Sequence, residues 1–175
     1  MPQQNVLQIY DLPKHQVNNT DLARAILALP DEVFVHRSHF FHGRYENLYI
    51  DADRLPGLQL ILATVLERSA QILGPAVEEL KLGFWLNIMN QGNVTSLHSH
   101  DDDDELLSAV YYVQVPEESG LFRLHIDNEI KDVKPVAGRL MLFDPALPHE
   151  VGKHRSDIPR ISIGMNIGPA GNEPD

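Results

Sequence analysis

RISIGMNI, residues 160–167, determines the fold class, because apolar side chains alternate with polar or small ones along it. Successive side chains of a β-strand point to opposite faces of the sheet. Arg160, Ser162 and Asn166 therefore share one face, and the four apolar residues at the alternate positions 161, 163, 165 and 167 share the other. The segment predicts a strand of an antiparallel sheet, and it leaves open whether the polar face meets water or lines a site.

Similar short runs, separated by turn residues, fill the chain after Lys81. Such spacing is typical of antiparallel strands in a sandwich or barrel. The remaining strands of an eight-stranded jelly roll are expected in Val33–Val35, in Arg44–Ile50 and around Lys131–Val136. The runs that precede residues 160–167 are Leu82–Asn90, Leu106–Val115, Gly120–Ile126 and Gly138–Phe143.

The part of the chain before residue 80 has helical patterns. Asn19 and Thr20 are suitable N-caps for a helix over Asp21–Leu29. Between Pro56 and Leu80 the apolar residues recur mostly at three- and four-residue steps, which predicts one or two amphipathic helices interrupted near Gly74-Pro75.

These patterns together predict one α+β, mainly β domain over residues 1–175. In it, a helical part at 1–80 braces a jelly-roll core at 81–167. Residues 168–175 are rich in Gly, Pro and polar residues, and we expect them to form a flexible tail.

Composition and charge narrow the classes of function. The chain has 25 acidic and 14 basic side chains and a formal charge of -11, so phosphate backbones and anionic lipids would be repelled. We therefore expect neither nucleic acid nor a membrane as a partner. The chain has no cysteine, so a metal would need imidazole or carboxylate ligands. Met1–Asp11 lacks signal-peptide features, which favours a cytoplasmic protein, and a homodimer is compatible with the sequence.

Two histidines at alternate positions, His98 and His100, are the first candidate site residues. In an extended backbone both imidazoles point to the same side and can share one metal ion. His149 is the candidate for a third ligand from further along the chain. In a chain with nine histidines, the pair is by itself equally compatible with a solvated loop beside Asp101–Asp104.

The chain resembles the iron(II)/2-oxoglutarate-dependent oxygenases, especially their prolyl-hydroxylase-like branch and the small bacterial oxygenases similar to it. The resemblance covers about half of the chain, from Phe84 to Ile167. The motifs that carry it are Trp85-x-Asn87, Gly92, His98-x-His100, Ser108–Val113, Gly120, Gly138–Asp144, Pro148–Val151 and Arg160-Ile161-Ser162.

The resemblance implies a cupin-like jelly roll, the double-stranded β-helix, with iron(II) held by His98, His100 and His149. Most members of the family have a carboxylate at the second ligand position, where this chain has His100. Asp102 offers a competing register, His100-x-Asp102, that would restore a carboxylate to the set. The spacing from the upstream motif favours His98 as the first ligand.

The resemblance also implies residues for the co-substrate, 2-oxoglutarate. Arg160 takes the position of the residue that forms a salt bridge with its far carboxylate, a geometry that suits a guanidinium. Ser162 and Tyr112 take positions that add hydrogen bonds to the same group, and the resemblance also implies that Asn87 faces the co-substrate.

The implied activity is the hydroxylation of a small molecule or a peptide side chain, with release of succinate and CO2. A cupin-like three-histidine metalloenzyme that uses no 2-oxoglutarate is an alternative, but Arg160 and Ser162 argue against it. A non-enzymatic jelly-roll binding module is another. Trp85, although it belongs to the first motif, is expected in the core. Outside the motifs, we expect packing roles for the histidines near Phe40-Phe41, which are His36, His39 and His42.

Overall fold

The structure, a computed structural model, describes residues 6–14, 16–75, 79–100 and 104–170. The alternative ligand Asp102 lies outside the described residues. Within them the chain forms two α-helices, α1 (Asn19–Leu27) and α2 (Leu58–Leu73), and single 3-10 turns at Asp31–Val33 and Ala52–Arg54. Neither α-helix is long and apolar enough to cross a bilayer.

The described residues form eleven strands, which pair only in antiparallel fashion and make two sheets. The strands are β1 (Leu7–Asp11), β2 (His36–Phe41), β3 (Arg44–Tyr49), β4 (Leu80–Met89), β5 (Thr95–His98), β6 (Leu107–Gln114), β7 (Phe122–Ile126), β8 (Glu129–Val133), β9 (Arg139–Phe143), β10 (His149–Val151) and β11 (Arg160–Pro169). The larger sheet has the order β1-β9-β6-β11-β4-β3-β2, and the smaller has the order β5-β10-β7-β8.

The two helices cover the outer face of the larger sheet. Their buried residues, among them Leu22 of α1 and Ile61 of α2, share one apolar core with the outer face of β11. That face consists of Ile161, Ile163, Met165 and Ile167, the apolar set predicted from the alternation. The prediction that helices brace a jelly roll is confirmed, since burial of this face is what the helices supply.

A second apolar cluster fills the space between the two sheets. Met89 and Tyr112 of the larger sheet and Phe122 of the smaller sheet are among its members. Two antiparallel sheets closed around one interior form the predicted double-stranded β-helix. The polar face of β11 is directed into this interior, so it lines a cavity rather than meeting water.

Several boundaries differ from those predicted. Val33–Val35 is not a strand, because a 3-10 turn occupies Asp31–Val33 and the strand begins at His36. Helix α1 begins two residues early, since Asn18 rather than Asn19 or Thr20 caps it by accepting a hydrogen bond from the Asp21 N–H at 3.2 Å. Strand β11 extends to Pro169, so the first two residues of the predicted tail are paired with β4. The remainder of that tail, from residue 171, lies outside the described residues.

Candidate active site

The three histidines singled out from the sequence lie together at one end of the smaller sheet. His98 ends β5 and His149 begins β10, and the two are direct cross-strand partners with ring centroids 4.3 Å apart. His100 lies two residues beyond β5, where its backbone N–H donates to the Pro145 carbonyl at 2.8 Å. One nitrogen from each imidazole lies within 4.8 Å of the others, which is a spacing that one metal ion can bridge.

Backbone carbonyls orient two of these imidazoles. Nδ1 of His98 lies 2.8 Å from the Ser96 carbonyl oxygen, and Nδ1 of His149 lies 2.9 Å from that of Leu147. A carbonyl only accepts hydrogen bonds, so each Nδ1 donates, and in a neutral imidazole this leaves the lone pair on Nε2. This arrangement is typical of histidines that bind metals through Nε2.

His149 is held in the neutral form that a metal ligand needs. Burial lowers its pKa to about 3, and the neighbouring His98 and His100 act in the same direction, against the hydrogen bond to Leu147. Phe122 and Phe143 flank its ring at centroid distances of 5.4 and 5.0 Å. The imidazole is therefore uncharged at neutral pH, and its Nε2 carries no proton that a metal ion would have to displace.

The histidines line a cavity of about 240 Å³ whose opposite wall is formed by the larger sheet. Asn87 of β4, Ser162 of β11 and Tyr112 of β6 are direct partners across three adjacent strands, and they form one row. Arg160 follows in the same face of β11. The structure thus brings together all of the residues for which the sequence predicted metal or co-substrate roles, with the exception of Asp102, which it does not describe.

Arg160 is a buried cation without a counter-ion among the described residues. Only 2% of it is exposed. Its Nη1 donates to Met89 Sδ at 3.1 Å, and its Cζ lies 5.2 Å from the Tyr112 ring centroid. Neither Arg160 Nε nor the Tyr112 hydroxyl has a hydrogen-bond partner in the described part of the chain.

Burial also shifts the pKa values of both residues. It lowers the pKa of Arg160, against the influence of Tyr112, and it raises the pKa of Tyr112, so the phenol stays protonated. A guanidinium remains charged in proteins, and an uncompensated buried charge is costly. A ligand carboxylate would compensate this charge and satisfy the two unpaired groups. The donor set therefore fits both iron and a dicarboxylate co-substrate.

Trp85 is not a core residue, contrary to the prediction. It is half-buried, it lines the cavity, and its ring centroid lies 6.0 Å from that of His100. On the neighbouring strand β11, Gly164 is the direct partner of Trp85 and, having no side chain, leaves the space that the indole occupies. The alternation of side chains along β4 could have indicated that Trp85 faces the cavity, because Trp85 shares a face of this strand with Asn87.

The β2–β3 hairpin also contributes to the cavity wall. His39, for which a packing role was predicted, and Glu46, which was missed in the sequence, line the cavity. Arg44, also missed, lies beside Glu46. Glu46 is 5% exposed and lies 3.3 Å from Arg44. Burial raises the pKa of Glu46, while Arg44 and then His98 oppose the shift. The Arg44-x-Glu46 spacing was the one available signal, since it places both side chains on one face of a strand.

Part of the chain is similar to a known protein family. A family model described as the 2OG-Fe(II) oxygenase superfamily matches residues 84–168. No curated protein matches the chain.

Solved structures match over nearly the whole chain. A Pseudomonas putida prolyl-4-hydroxylase is 22% identical, with a TM-score of 0.67 over 96% of this chain and 90% of that one. A prolyl hydroxylase from Trichoplax adhaerens, in complex with a hypoxia inducible factor peptide fragment, is 17% identical, with a TM-score of 0.69 over 94% and 84%. A Burkholderia pseudomallei oxidoreductase of the 2OG-Fe(II) oxygenase family is 19% identical, with a TM-score of 0.63 over 91% and 84%. Likeness at these identities establishes the fold.

Proposed function

We propose that this chain, which belongs to the 2OG-Fe(II) oxygenase superfamily, hydroxylates a small molecule or a peptide side chain and releases succinate and CO2. Enzymes of this superfamily are dioxygenases that use iron(II) and 2-oxoglutarate. The observation that carries the proposal is the buried, uncompensated guanidinium of Arg160 in the same cavity as three converging imidazoles.

In this proposal His98, His100 and His149 would hold the iron, His98 and His149 through their Nε2 atoms. Their Nδ1–H groups are anchored to backbone carbonyls at His98 and His149, so the rings are oriented before the metal binds. When bound, iron(II) and 2-oxoglutarate supply the oxidising chemistry with dioxygen. The protein binds and orients these groups, and its aromatic walls at Phe122 and Phe143 exclude water from the side of His149.

Arg160 binds the far carboxylate of 2-oxoglutarate, and Ser162, Tyr112 and Asn87 donate further hydrogen bonds. Two observations support these roles. Ser162, Tyr112 and Asn87 form one row, and neither Arg160 Nε nor the Tyr112 hydroxyl has a hydrogen-bond partner among the described residues. A charge-assisted hydrogen bond of this kind contributes about 1.5–3 kcal/mol.

The substrate occupies a second cavity, of about 790 Å³, beyond the indole of Trp85. Trp85 and Asn166 line both cavities, so this space adjoins the metal-binding cavity. Tyr49, Lys81 and Asp104 lie around it, the last two as an ion pair at 3.1 Å. The peptide fragment bound to the Trichoplax relative supports a peptide as one substrate class.

The test is Arg160→Ala, with Arg24→Ala on the exposed surface of α1 as its control. We expect the 2-oxoglutarate affinity of Arg160→Ala to fall about ten- to a hundredfold, which corresponds to one lost charge-assisted interaction. Iron(II) affinity should stay the same, because Arg160 is not one of the three residues that cluster as candidate metal ligands. Anaerobic calorimetry measures both, and an unchanged co-substrate affinity would rule out the role of Arg160.

Turnover tests the reaction itself. Wild-type protein with iron(II), 2-oxoglutarate and dioxygen should form succinate even without substrate, in an uncoupled reaction. Iron-loaded protein that forms no succinate would contradict the use of 2-oxoglutarate and would favour a three-histidine metalloenzyme of another kind.

A further inference from the structure

We propose that Arg44 is a positioning residue that fixes the orientation of the Asn87 carboxamide, so that its N–H groups serve the co-substrate carboxylate. This inference rests on the proposed function, which places Asn87 at the 2-oxoglutarate site. Arg44 belongs to β3, outside the segment 84–168 that the family model matches.

The contact between Arg44 and Asn87 decides which end of the carboxamide faces the co-substrate. Nη1 of Arg44 lies 3.1 Å from Oδ1 of Asn87. A guanidinium can only donate, so the atom that it contacts is the carbonyl oxygen of the carboxamide. The Nδ2 amide then lies on the other side of the group and is left to donate to a ligand in the cavity that Asn87 lines.

This orientation matches the chemistry of the neighbouring residues. Asn87 is the direct partner of Ser162, and Arg160 lies two residues further along the same face of β11. All three then offer hydrogen-bond donors, which a carboxylate, as an acceptor, requires. The opposite orientation would place a carbonyl oxygen against the carboxylate and would repel it.

Glu46 holds the Arg44 side chain through an ion pair. Its carboxylate accepts from Arg44 Nη2 at 3.3 Å, and the two side chains are only 7% and 14% exposed. The pair is thus neutral as a unit and mostly desolvated. Arg44 is paired with this carboxylate, whereas Arg160 has no carboxylate partner among the described residues, so the two guanidiniums have different roles.

Arg44 also contacts the chain that leads into β5. Its Nη2 lies 3.3 Å from the Val94 carbonyl oxygen and 3.5 Å from Thr95 Oγ1. Because β5 ends at His98, a purely structural role for Arg44 would act on the metal site. The test must therefore measure iron affinity beside co-substrate affinity.

A double-mutant cycle separates these roles. Arg44→Met is combined with Glu46→Gln, because a lone Glu46 would leave a buried charge unpaired. This paired variant is compared with the wild type, with Asn87→Ala and with the triple variant, all loaded with iron(II) under anaerobic conditions. Calorimetry gives the affinities for iron(II) and for 2-oxoglutarate.

We expect the paired variant to bind 2-oxoglutarate about tenfold more weakly, with unchanged iron(II) affinity. In the Asn87→Ala background the same two substitutions should not lower the 2-oxoglutarate affinity any further. An equal loss in both backgrounds, or a parallel loss of iron(II) affinity, would overturn the inference. Wild-type protein that binds iron(II) but no 2-oxoglutarate would instead contradict the proposed function, so the two failures are distinguishable.

A second variant keeps the Arg44–Glu46 pair intact and covers the case in which the paired variant does not fold. Asn87→Asp retains the contact with Arg44 but presents an acceptor in place of the amide donor. Its 2-oxoglutarate affinity should fall below that of Asn87→Ala. Equal or tighter binding by Asn87→Asp would show that no donor is needed at this position and would overturn the inference.

Discussion

Gly164 has no room for a larger side chain. A Cβ atom built there would lie 2.4 Å from Cε2 of Trp85, a separation that real Cβ contacts do not show. The Trp85 indole in turn faces His100 and lines both cavities. Gly164 therefore sets the position of the wall between the metal-binding cavity and the proposed substrate cavity.

We predict that Gly164→Ala displaces the indole and destabilises the protein by about 1–3 kcal/mol, the usual cost of overpacking. Trp85 is the only tryptophan, so its fluorescence spectrum reports the movement. Gly83→Ala is the matched control, because a Cβ on Gly83, also in β4–β11 pairing, meets nothing within 4 Å. An emission spectrum and melting temperature like those of the control would contradict the prediction.

Individual site residues differ in how far the sequence could indicate them. A family resemblance singled out four residues by their spacing, namely His98, His100, His149 and Arg160. The structure brings them to one cavity. Their roles stay predictions. Arg44 could not be found in this way, because its partner Asn87 lies 43 residues away and only the sheet order brings them together. Pairing between distant strands is information that local patterns do not contain.

Among the strands, those with one face in the helix-covered apolar core were predicted well. β4, β6, β9 and β11 each lie within about two residues of the predicted runs, because apolar side chains recur at every second position on that face. β5 and β10 have only four and three residues, too few for a period to be recognised. β2 has a positive φ of 57° at His39, which interrupts the regular alternation of its side chains.

The edge strand β1 is attached to β9 by a two-point ion pair. Arg139 Nε and Nη2 lie 2.8 and 3.0 Å from the two carboxylate oxygens of Asp11. The hydrogen bond from Arg139 lowers the pKa of Asp11. Since Asp11 is 62% exposed in its side chain, solvent screens the pair, and it should contribute at most about 1 kcal/mol.

We predict that Asp11→Asn lowers the free energy of unfolding at pH 7 by up to about 1 kcal/mol. A carboxyl group whose pKa is lowered by folding stabilises the protein above its unfolded pKa, and this contribution is lost as the pH falls through the folded value. The difference between wild type and variant should thus shrink below the ordinary aspartate value of 3.8. It should also shrink at 1 M salt, because screening weakens exposed pairs. Urea titrations measure it, and a difference that persists in acid and in salt would contradict an ionic origin.

The two sheets of the molecule contribute different parts of the proposed site. His98 and His149 belong to the smaller sheet, whereas Arg160, Ser162 and Asn87 belong to the larger one. Iron and co-substrate would therefore connect the sheets through ligands that are far apart in sequence. Binding that occurs only in the folded state stabilises it by mass action.

We predict that iron(II) at a hundredfold excess over its dissociation constant stabilises the fold by about 2.7 kcal/mol. For a chain of this size, that corresponds to a rise in melting temperature of about 5–11 °C. His149→Ala should abolish the rise, because it removes one of the three clustered imidazoles, whereas His36→Ala, in an exposed position of β2, should keep it. Anaerobic thermal scans with and without iron(II) measure the shift within each variant, so that a lower starting stability of His149→Ala does not affect the comparison. A shift of equal size in His149→Ala would mean that the metal binds elsewhere on the chain.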